Sequence, residues 1–131
     1  MTTLIRRYSN KHNHDIEYLI SFLRGRFAYY KPLSIVLGAN DRKEYKGNAS
    51  INHMYINLAK ITSARDLIET IAHEFVHVKQ FDRYELGYDD NGELTWHGVT
   101  IEDSVTAPWE LDAMFETINI EKELDIIAAV W

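Results

Sequence analysis

Two histidines and a glutamate lie within five residues of one another in the segment HEFVH. His73 and His77 are four positions apart, and Glu74 directly follows the first histidine. In an α-helix, residues four apart lie on one face, so both imidazoles can reach a single metal ion. Glu74 is rotated by about 100° from His73, which suits a carboxylate that takes a proton from a metal-bound water. The segment therefore predicts a zinc site that could hydrolyse a peptide bond.

The same five residues have a plainer interpretation, in which both histidines are hydrogen-bonded side chains of an ordinary buried helix. The short pattern H-E-x-x-H carries a real risk of a chance match. Its context favours the metal site, because apolar residues flank the histidines at helical spacing. These residues are Ile71, Ala72, Phe75 and Val76. We therefore expect one zinc ion per chain, with Glu74 as general base.

A catalytic zinc site of this kind needs a third protein ligand, and two later residues could supply it. His97 lies in the segment TWHG, and Glu110 lies in the segment APWELDA. A histidine would leave the site with a charge of about +2 and a glutamate with about +1, and both ligand sets occur in catalytic zinc sites. The residues alone leave both alternatives open. His12 and His14, before the first predicted helix, are expected to be solvated rather than to form a second metal site.

Hydrophobic periodicity predicts the elements that precede the motif. Residues 15–29 have apolar side chains at helical spacing, and residues 33–39 are typical of a buried strand. Residues 51–58 alternate between apolar and polar side chains, which indicates a half-exposed strand. We expect this strand to be either an ordinary edge or one that pairs with an extended peptide. Its polar side carries His53, Tyr55 and Asn57.

The motif itself lies in the longest predicted helix, which Thr62 or Ser63 caps and which runs for about 18 residues. Residues 88–100 contain an Asn-Gly turn and predict a hairpin or a long loop. Pro108 suits the first turn of a last helix, with Glu110 just inside it. Apolar residues follow there at helical spacing: Leu111, Met114, Phe115 and Ile118. Helices and short strands in this order predict a small α+β domain.

Length and composition fit one globular domain that spans residues 1–131, with 46% hydrophobic and 26% charged residues. The net charge of −6, without a basic stripe among the aromatic residues, disfavours nucleic acid as a partner. The absence of cysteine excludes disulfides, thiolate metal sites and cysteine nucleophiles. Neither a signal peptide nor an apolar run of membrane-spanning length is apparent, so we expect a cytoplasmic protein without a membrane partner.

The stretch HEFVHVKQ, followed by WHG and PWELDA, resembles small phage-type SprT-like or minigluzincin zinc metallopeptidases, where HExxHxxQ, W-x-G and PWExEA-like segments recur. The resemblance covers residues 64–116 and implies a zincin-like fold and a polypeptide substrate. It also implies Glu110 as third ligand, although SprT-like metallopeptidases use the histidine of a His-Gly pair, which here is His97. Asp112 stands where the group often has glutamate, and Met114 where other gluzincins carry an aspartate. The resemblance thus names no partner that would orient the histidines.

If Glu110 is the third ligand, other polar side chains are free to stabilise a transition state by hydrogen bonding. The candidates are His97, Tyr84 and Tyr88. An alternative function is a non-catalytic metal-binding scaffold or, for a phage-encoded protein, a virion-associated structural protein. A closed site with both His97 and Glu110 as ligands would favour that alternative, because no position would remain for water.

Overall fold

The structure is a computed structural model that describes the backbone of residues 2–6 and 13–130 and the side chains of residues 16–125. Within these ranges the chain is a mixed α+β protein with helices and two small sheets, as the sequence predicts. The elements are β1 (Thr2–Arg6), α1 (Asn13–Phe27), β2 (Leu33–Gly38), β3 (Gly47–Ser50), β4 (His53–Asn57), α2 (Ala64–Asp82), β5 (Leu86–Tyr88), β6 (Leu94–Trp96), β7 (Val99–Thr100) and α3 (Pro108–Val130). None of the described helices is both long and apolar enough to cross a membrane.

The larger sheet has the strand order β1-β2-β4-β3, with β1, β2 and β4 parallel and β3 antiparallel to β4. Alternate residues of β2 and β4 are buried in one hydrophobic cluster with residues of all three helices, whereas the residues between them are half-exposed. One face of the sheet therefore supports the helices. The buried residues of the two strands include Leu33, Ile35, Leu37, Met54 and Ile56.

The edge strands of this sheet are β1 and β3, not the strand that the sequence predicts as an edge. Residues 51–58 contain β4, which pairs with β2 on one side and with β3 on the other. The prediction of an edge at β4 was wrong because residues 47–50 form a short strand of their own. Asn57 was also predicted on the outer side but is fully buried, and its amide group donates to the carbonyl oxygens of Asn40 and Tyr45.

Helix α2 begins and ends on hydrogen bonds that the sequence supplies locally. The amide of Asp66 donates to the hydroxyl oxygen of Ser63 at 3.0 Å, which satisfies one of the free amides of the first turn. At the other end Tyr84 has a φ of 58°, and the amide of Glu85 donates to the carbonyl of Gln80 at 3.0 Å. This left-handed residue with its backward hydrogen bond ends the helix where glycine usually stands.

Helix α3 packs against α2 with a different face from the one that its large apolar residues mark. After Trp109 in its first turn, the buried positions among its described side chains are Ala113, Thr117 and Ile120. Four of its large apolar residues lie at helical spacing on the exposed side, with between 39% and 61% of their surface accessible. They are Leu111, Met114, Phe115 and Ile118. Ala113 and Thr117 on the buried face are small enough for close packing against α2, whereas the four exposed apolar side chains face outward.

The second sheet consists of β5, β6 and β7, joined by two hairpin connections, where the sequence predicts a hairpin or a long loop for residues 88–100. Gly92, with a φ of 79°, lies in the first connection, at the predicted Asn-Gly turn. A small cluster of buried side chains joins this sheet to the end of α2 and the start of α3. Trp109 belongs to that cluster, so the hairpins hold the residue that precedes Glu110.

Candidate metal centre

Two helices bring three metal-ligating side chains together at one point. Helix α2 supplies His73 and His77 from adjacent turns, and the first turn of α3 supplies Glu110. The Nε2 atom of His77 lies 2.5 Å from Oε1 of Glu110 and 3.2 Å from Nε2 of His73. The third separation, between Nε2 of His73 and Oε1 of Glu110, is 3.5 Å. The three atoms thus form a small triangle of nitrogen and oxygen donors.

This triangle has the size and chemistry of a metal site. Divalent zinc takes imidazole and carboxylate ligands at about 2.0–2.2 Å in tetrahedral geometry, which separates the ligand atoms by roughly 3.3 Å. The separations of 2.5, 3.2 and 3.5 Å bracket that spacing. The group of His73, His77 and Glu110 can therefore hold a divalent metal ion.

The two histidines keep the carboxyl group of Glu110 ionised, which is the form that binds a metal ion. Hydrogen bonds from His73 and His77 lower the pKa of Glu110 to about 2, so its carboxylate is ionised near neutral pH. Burial alone would lower the pKa of His77, but its hydrogen bond to Glu110 and the charge of Glu74 raise it. A metal ion at His77 therefore competes with a proton, which makes metal binding weaker at low pH.

The orientation of His77 is set by Gln80, one turn further along α2. The ring Nδ1 of His77 and the amide oxygen of Gln80 are 2.8 Å apart. When Nδ1–H donates to that oxygen, the lone pair of the neutral ring lies on Nε2, which faces Glu110. The amide nitrogen of Gln80 donates to the carbonyl of Trp109 at 3.0 Å and to Asp112 at 2.8 Å. Gln80 is completely buried. Its contacts link His77 to the start of α3, which carries Glu110.

Glu74 lies beside the triangle and is held in place by close packing. A Cβ atom at Gly47 of the edge strand would lie 3.0 Å from Cγ of Glu74 and 2.9 Å from the carbonyl oxygen of Tyr55. Glu74 is only 7% exposed, and its Oε2 accepts no hydrogen bond from any described residue. Burial raises the pKa of this carboxyl, although the charges of His77 and His73 oppose the shift. An unsatisfied buried carboxylate oxygen is costly unless a water or a ligand completes it.

Two open grooves meet at Glu74. The α2–α3 groove, of about 530 Å³, passes His73 and is lined by Met114, Ile118 and acidic residues of both helices. The hairpin groove, of about 350 Å³, passes His77 and Glu110 and is lined mainly by aromatic and apolar side chains: Tyr45, Phe81, Leu86, Tyr88, Leu94 and Trp109. A chain lying in both grooves would cross the metal site.

The other predicted histidines, His97, His12 and His14, are not part of this metal-ligating group as far as the structure describes them. His97 is exposed and has a φ of 50°, and Gly98 has a φ of 84°. Because both angles are positive, the His-Gly pair forms the two-residue turn between β6 and β7. Among the described residues His97 is not part of the metal-ligating group. His12 lies outside the described residues, as does the side chain of His14.

The two tyrosines that were candidates to stabilise a transition state lie in different surroundings. Tyr84 is 88% exposed and does not line either groove, because it ends α2 in a left-handed conformation. Tyr88 lines the hairpin groove with His77 and Glu110 and stacks on Phe81 at a centroid distance of 5.6 Å. Of these two candidates, Tyr88 is therefore the one that a ligand in the hairpin groove could reach.

The sequence reasoning assigned no role to Gln80 or Gly47. Gln80 follows His77 by three positions on a helix, so helical spacing alone indicates that the two side chains are neighbours. The role of Gly47 has no comparable local signal, because it depends on the approach of α2 to β3. Asp112, noted only as a departure from a family pattern, accepts a hydrogen bond from Gln80.

We compared the chain with protein families, with curated proteins and with solved structures, and found no match in any of the three. The resemblance of HEFVH, WHG and PWELDA to a metallopeptidase family therefore remains an expectation from those segments. What the site can do chemically follows from the geometry of its described residues.

Proposed function

We propose that this protein is a zinc-dependent metallopeptidase of the minigluzincin, SprT-like type, which hydrolyses peptide bonds in polypeptide substrates. One observation carries the proposal. A triangle of two imidazole nitrogens and one carboxylate oxygen lies beside a buried glutamate whose Oε2 lacks a partner among the described residues. That combination is what hydrolysis by an activated water requires.

The ligands in this proposal are His73, His77 and Glu110, and each side chain has one task. Zinc, when bound, supplies a Lewis acid that makes water more acidic and polarises the substrate carbonyl. Glu74 takes the proton of the attacking water and passes it to the amine that leaves. Its burial raises its pKa toward the range in which a carboxyl group can both gain and lose a proton. Tyr88, in the hairpin groove, is the candidate to donate a hydrogen bond to the developing oxyanion.

The ligand count favours catalysis over a structural scaffold. Structural zinc sites are generally closed by four protein ligands, whereas catalytic sites have three and keep one position open. The described residues offer three ligand atoms here, and the site opens onto two grooves. These features support a catalytic zinc ion rather than the scaffold or virion-associated alternative.

The test compares zinc-loaded wild-type protein with Glu74→Gln on an unfolded protein and a quenched-fluorescence peptide library. We expect Glu74→Gln to retain its zinc and its fold and to lose about 10²- to 10⁴-fold in rate, because it removes only the proton acceptor. Glu102→Gln changes an exposed carboxylate outside the two grooves and serves as a matched control with wild-type activity. Wild-type protein that carries zinc but cleaves none of these substrates would overturn the proposal.

A further inference from the structure

The α2–α3 groove runs directly to the candidate catalytic residues. Its walls are formed by α2 and α3, and it shares His73 and Glu74 with the metal site. Glu74, whose buried Oε2 has no hydrogen-bond partner among the described residues, lines this groove as well as the hairpin groove. A ligand that completes Glu74 can therefore extend along the space between the two helices.

One wall of the groove belongs to an exposed apolar stripe. Met114 and Ile118 line the groove, and Leu111 and Phe115 continue the same face of α3. These four large apolar side chains, at helical spacing and each at least 39% exposed, share one side of α3. Patches of this kind on a soluble protein mark surfaces that bind another molecule.

Most of the charged residues that line the groove are acidic. Asp66, Glu69 and Glu121 line the groove together with a single lysine, Lys46. Lys46 is bound to Asp66 at 2.9 Å, and Arg65 bridges Glu69 and Glu121 at 3.4 and 2.9 Å. Burial raises the pKa of Glu121, and the neighbouring Glu69 raises it further, although Arg65 opposes the shift. The groove-lining residues include four carboxylates and one lysine, so a basic group in the groove is attracted electrostatically.

We infer that the α2–α3 groove binds the part of the substrate polypeptide on the His73 side of the cleaved bond and selects segments that combine a basic with a large apolar side chain. The inference rests on the proposed peptidase function and names its substrate class. The basic group lies against Glu69 and Glu121, and the apolar side chain covers Met114 and Ile118. Unfolded or extended chains fit this requirement, because both groups must reach an open groove from one strand of backbone.

A second copy of this protein is the competing occupant of the apolar stripe, and charge disfavours it. Helix α3 carries six acidic residues and one lysine, and the whole chain has a net charge of −6. Two such helices packed face to face would bring like charges together. A basic partner avoids that repulsion and reduces the negative charge of the groove.

The test measures binding apart from hydrolysis, with zinc-loaded Glu74→Gln protein and fluorescent peptides of equal length. One peptide combines lysine with leucine, a second replaces lysine with glutamate, and a third replaces leucine with serine. We expect the first peptide to bind about tenfold more tightly than the other two. Glu121→Gln should weaken the first peptide about fivefold and should not weaken the glutamate peptide.

The apolar half of the inference is tested by Ile118→Ser, which should weaken the two leucine peptides about fivefold and leave the serine peptide unchanged. Val105→Ser and Glu102→Gln, at exposed positions outside the groove, are the matched controls and should bind all three peptides like the parent. Light scattering and circular dichroism confirm that every variant is folded.

The outcomes separate this inference from the proposed function. If wild-type protein cleaves peptides but the three peptides bind alike, the groove assignment is wrong and the peptidase proposal stands. If the lysine–leucine peptide binds selectively but is never cleaved, the groove assignment is supported as a binding site and the peptidase proposal fails. A dimer that Phe115→Ser dissociates would show that a second copy covers the stripe and would overturn the inference.

Discussion

His77 and His97 are both histidines that sequence patterns mark as zinc ligands, and they lie on very different backbones. His77 is in the middle of α2, buried, with one ring nitrogen bonded to Gln80 and the other facing Glu110. His97 is exposed at a hairpin turn, and its backbone amide donates to the carbonyl of Glu85 at 2.8 Å. One imidazole is therefore fixed by contacts on both ring nitrogens, and the other is fixed mainly through its backbone.

The difference explains how a His-Gly pair can stand in this chain outside the group of possible metal ligands. A turn of two residues that both have positive φ favours asparagine or aspartate followed by glycine, and His97 and Gly98 fill those two positions. Histidine is one of the side chains that tolerate the left-handed region better than most. The geometry of the turn thus explains why His97 and Gly98 occupy these positions. His73 and His77 have instead the arrangement of a possible metal site. Ligand spacing therefore has to be interpreted together with the secondary-structure element that carries it.

The largest expected effect compares the two candidates for third ligand. Glu110→Ala should lower zinc affinity by more than about 100-fold, because it removes a direct ligand, whereas His97→Ala should change it less than about twofold. Competition with a chromogenic chelator measures both affinities, and circular dichroism checks the fold. Zinc loss in His97→Ala, with zinc retained in Glu110→Ala, would reverse the comparison.

A second prediction removes what orients His77. Gln80→Leu keeps the volume but loses the acceptor for Nδ1 of His77, so zinc affinity should fall about 10- to 100-fold. Gln80→Glu retains an acceptor for His77 and should bind zinc more tightly than the leucine variant does. In the metal-free protein, ¹⁵N chemical shifts of the His77 ring should report a changed tautomer balance in Gln80→Leu. Unchanged affinity and unchanged ring shifts would mean that Gln80 only packs.

A third prediction extends the comparison to Glu74, whose position depends on the edge strand. Gly47→Ala places a methyl group against Cγ of Glu74 and the backbone of Tyr55, so the carboxylate should shift and kcat should fall about tenfold. Zinc affinity should stay near the wild-type value, because neither atom is a ligand. Gly25→Ala is the matched control, since a Cβ there meets nothing within 4 Å. Equal kcat for both variants would contradict the role of Gly47.

The smallest expected effect concerns the turn itself. His97→Asn should leave zinc affinity unchanged and raise the free energy of unfolding by a few tenths of a kcal/mol, because asparagine suits the first position of this turn. His97→Val should instead lower it by about 1 kcal/mol or more, since a β-branched residue is strained at positive φ. Urea unfolding measures both changes. Equal stability of the two variants would argue against a turn role for His97.

Much of the fold could be predicted from periodicity. The apolar stripe of α2 and the position of Pro108 at the start of α3 are local properties of the chain, and the structure has them as predicted. The strands β1 and β3 are short and lack a clear alternation, so pairing partners rather than sequence decide that they are strands. The prediction that β4 is an edge strand was wrong for the same reason, because β3 pairs with it.

The candidate site was predictable to the extent that it is local. The spacing of His73, Glu74 and His77 is fixed by one helix, whereas Glu110 joins them only because α3 crosses α2 at that turn. The outward position of Phe115 and its neighbours follows from which face of α3 packs on α2. A helix with apolar residues on two faces does not reveal that choice in its sequence.

The most direct test of the central claim is anomalous scattering at the zinc edge from a crystal of the zinc-loaded protein. We expect one zinc ion per chain, within about 2.2 Å of Nε2 of His73, Nε2 of His77 and a carboxylate oxygen of Glu110, with a further position not occupied by protein. His97 should lie outside the coordination sphere. A zinc ion coordinated by His97 in place of Glu110, or no anomalous peak at the two α2 histidines, would contradict the account.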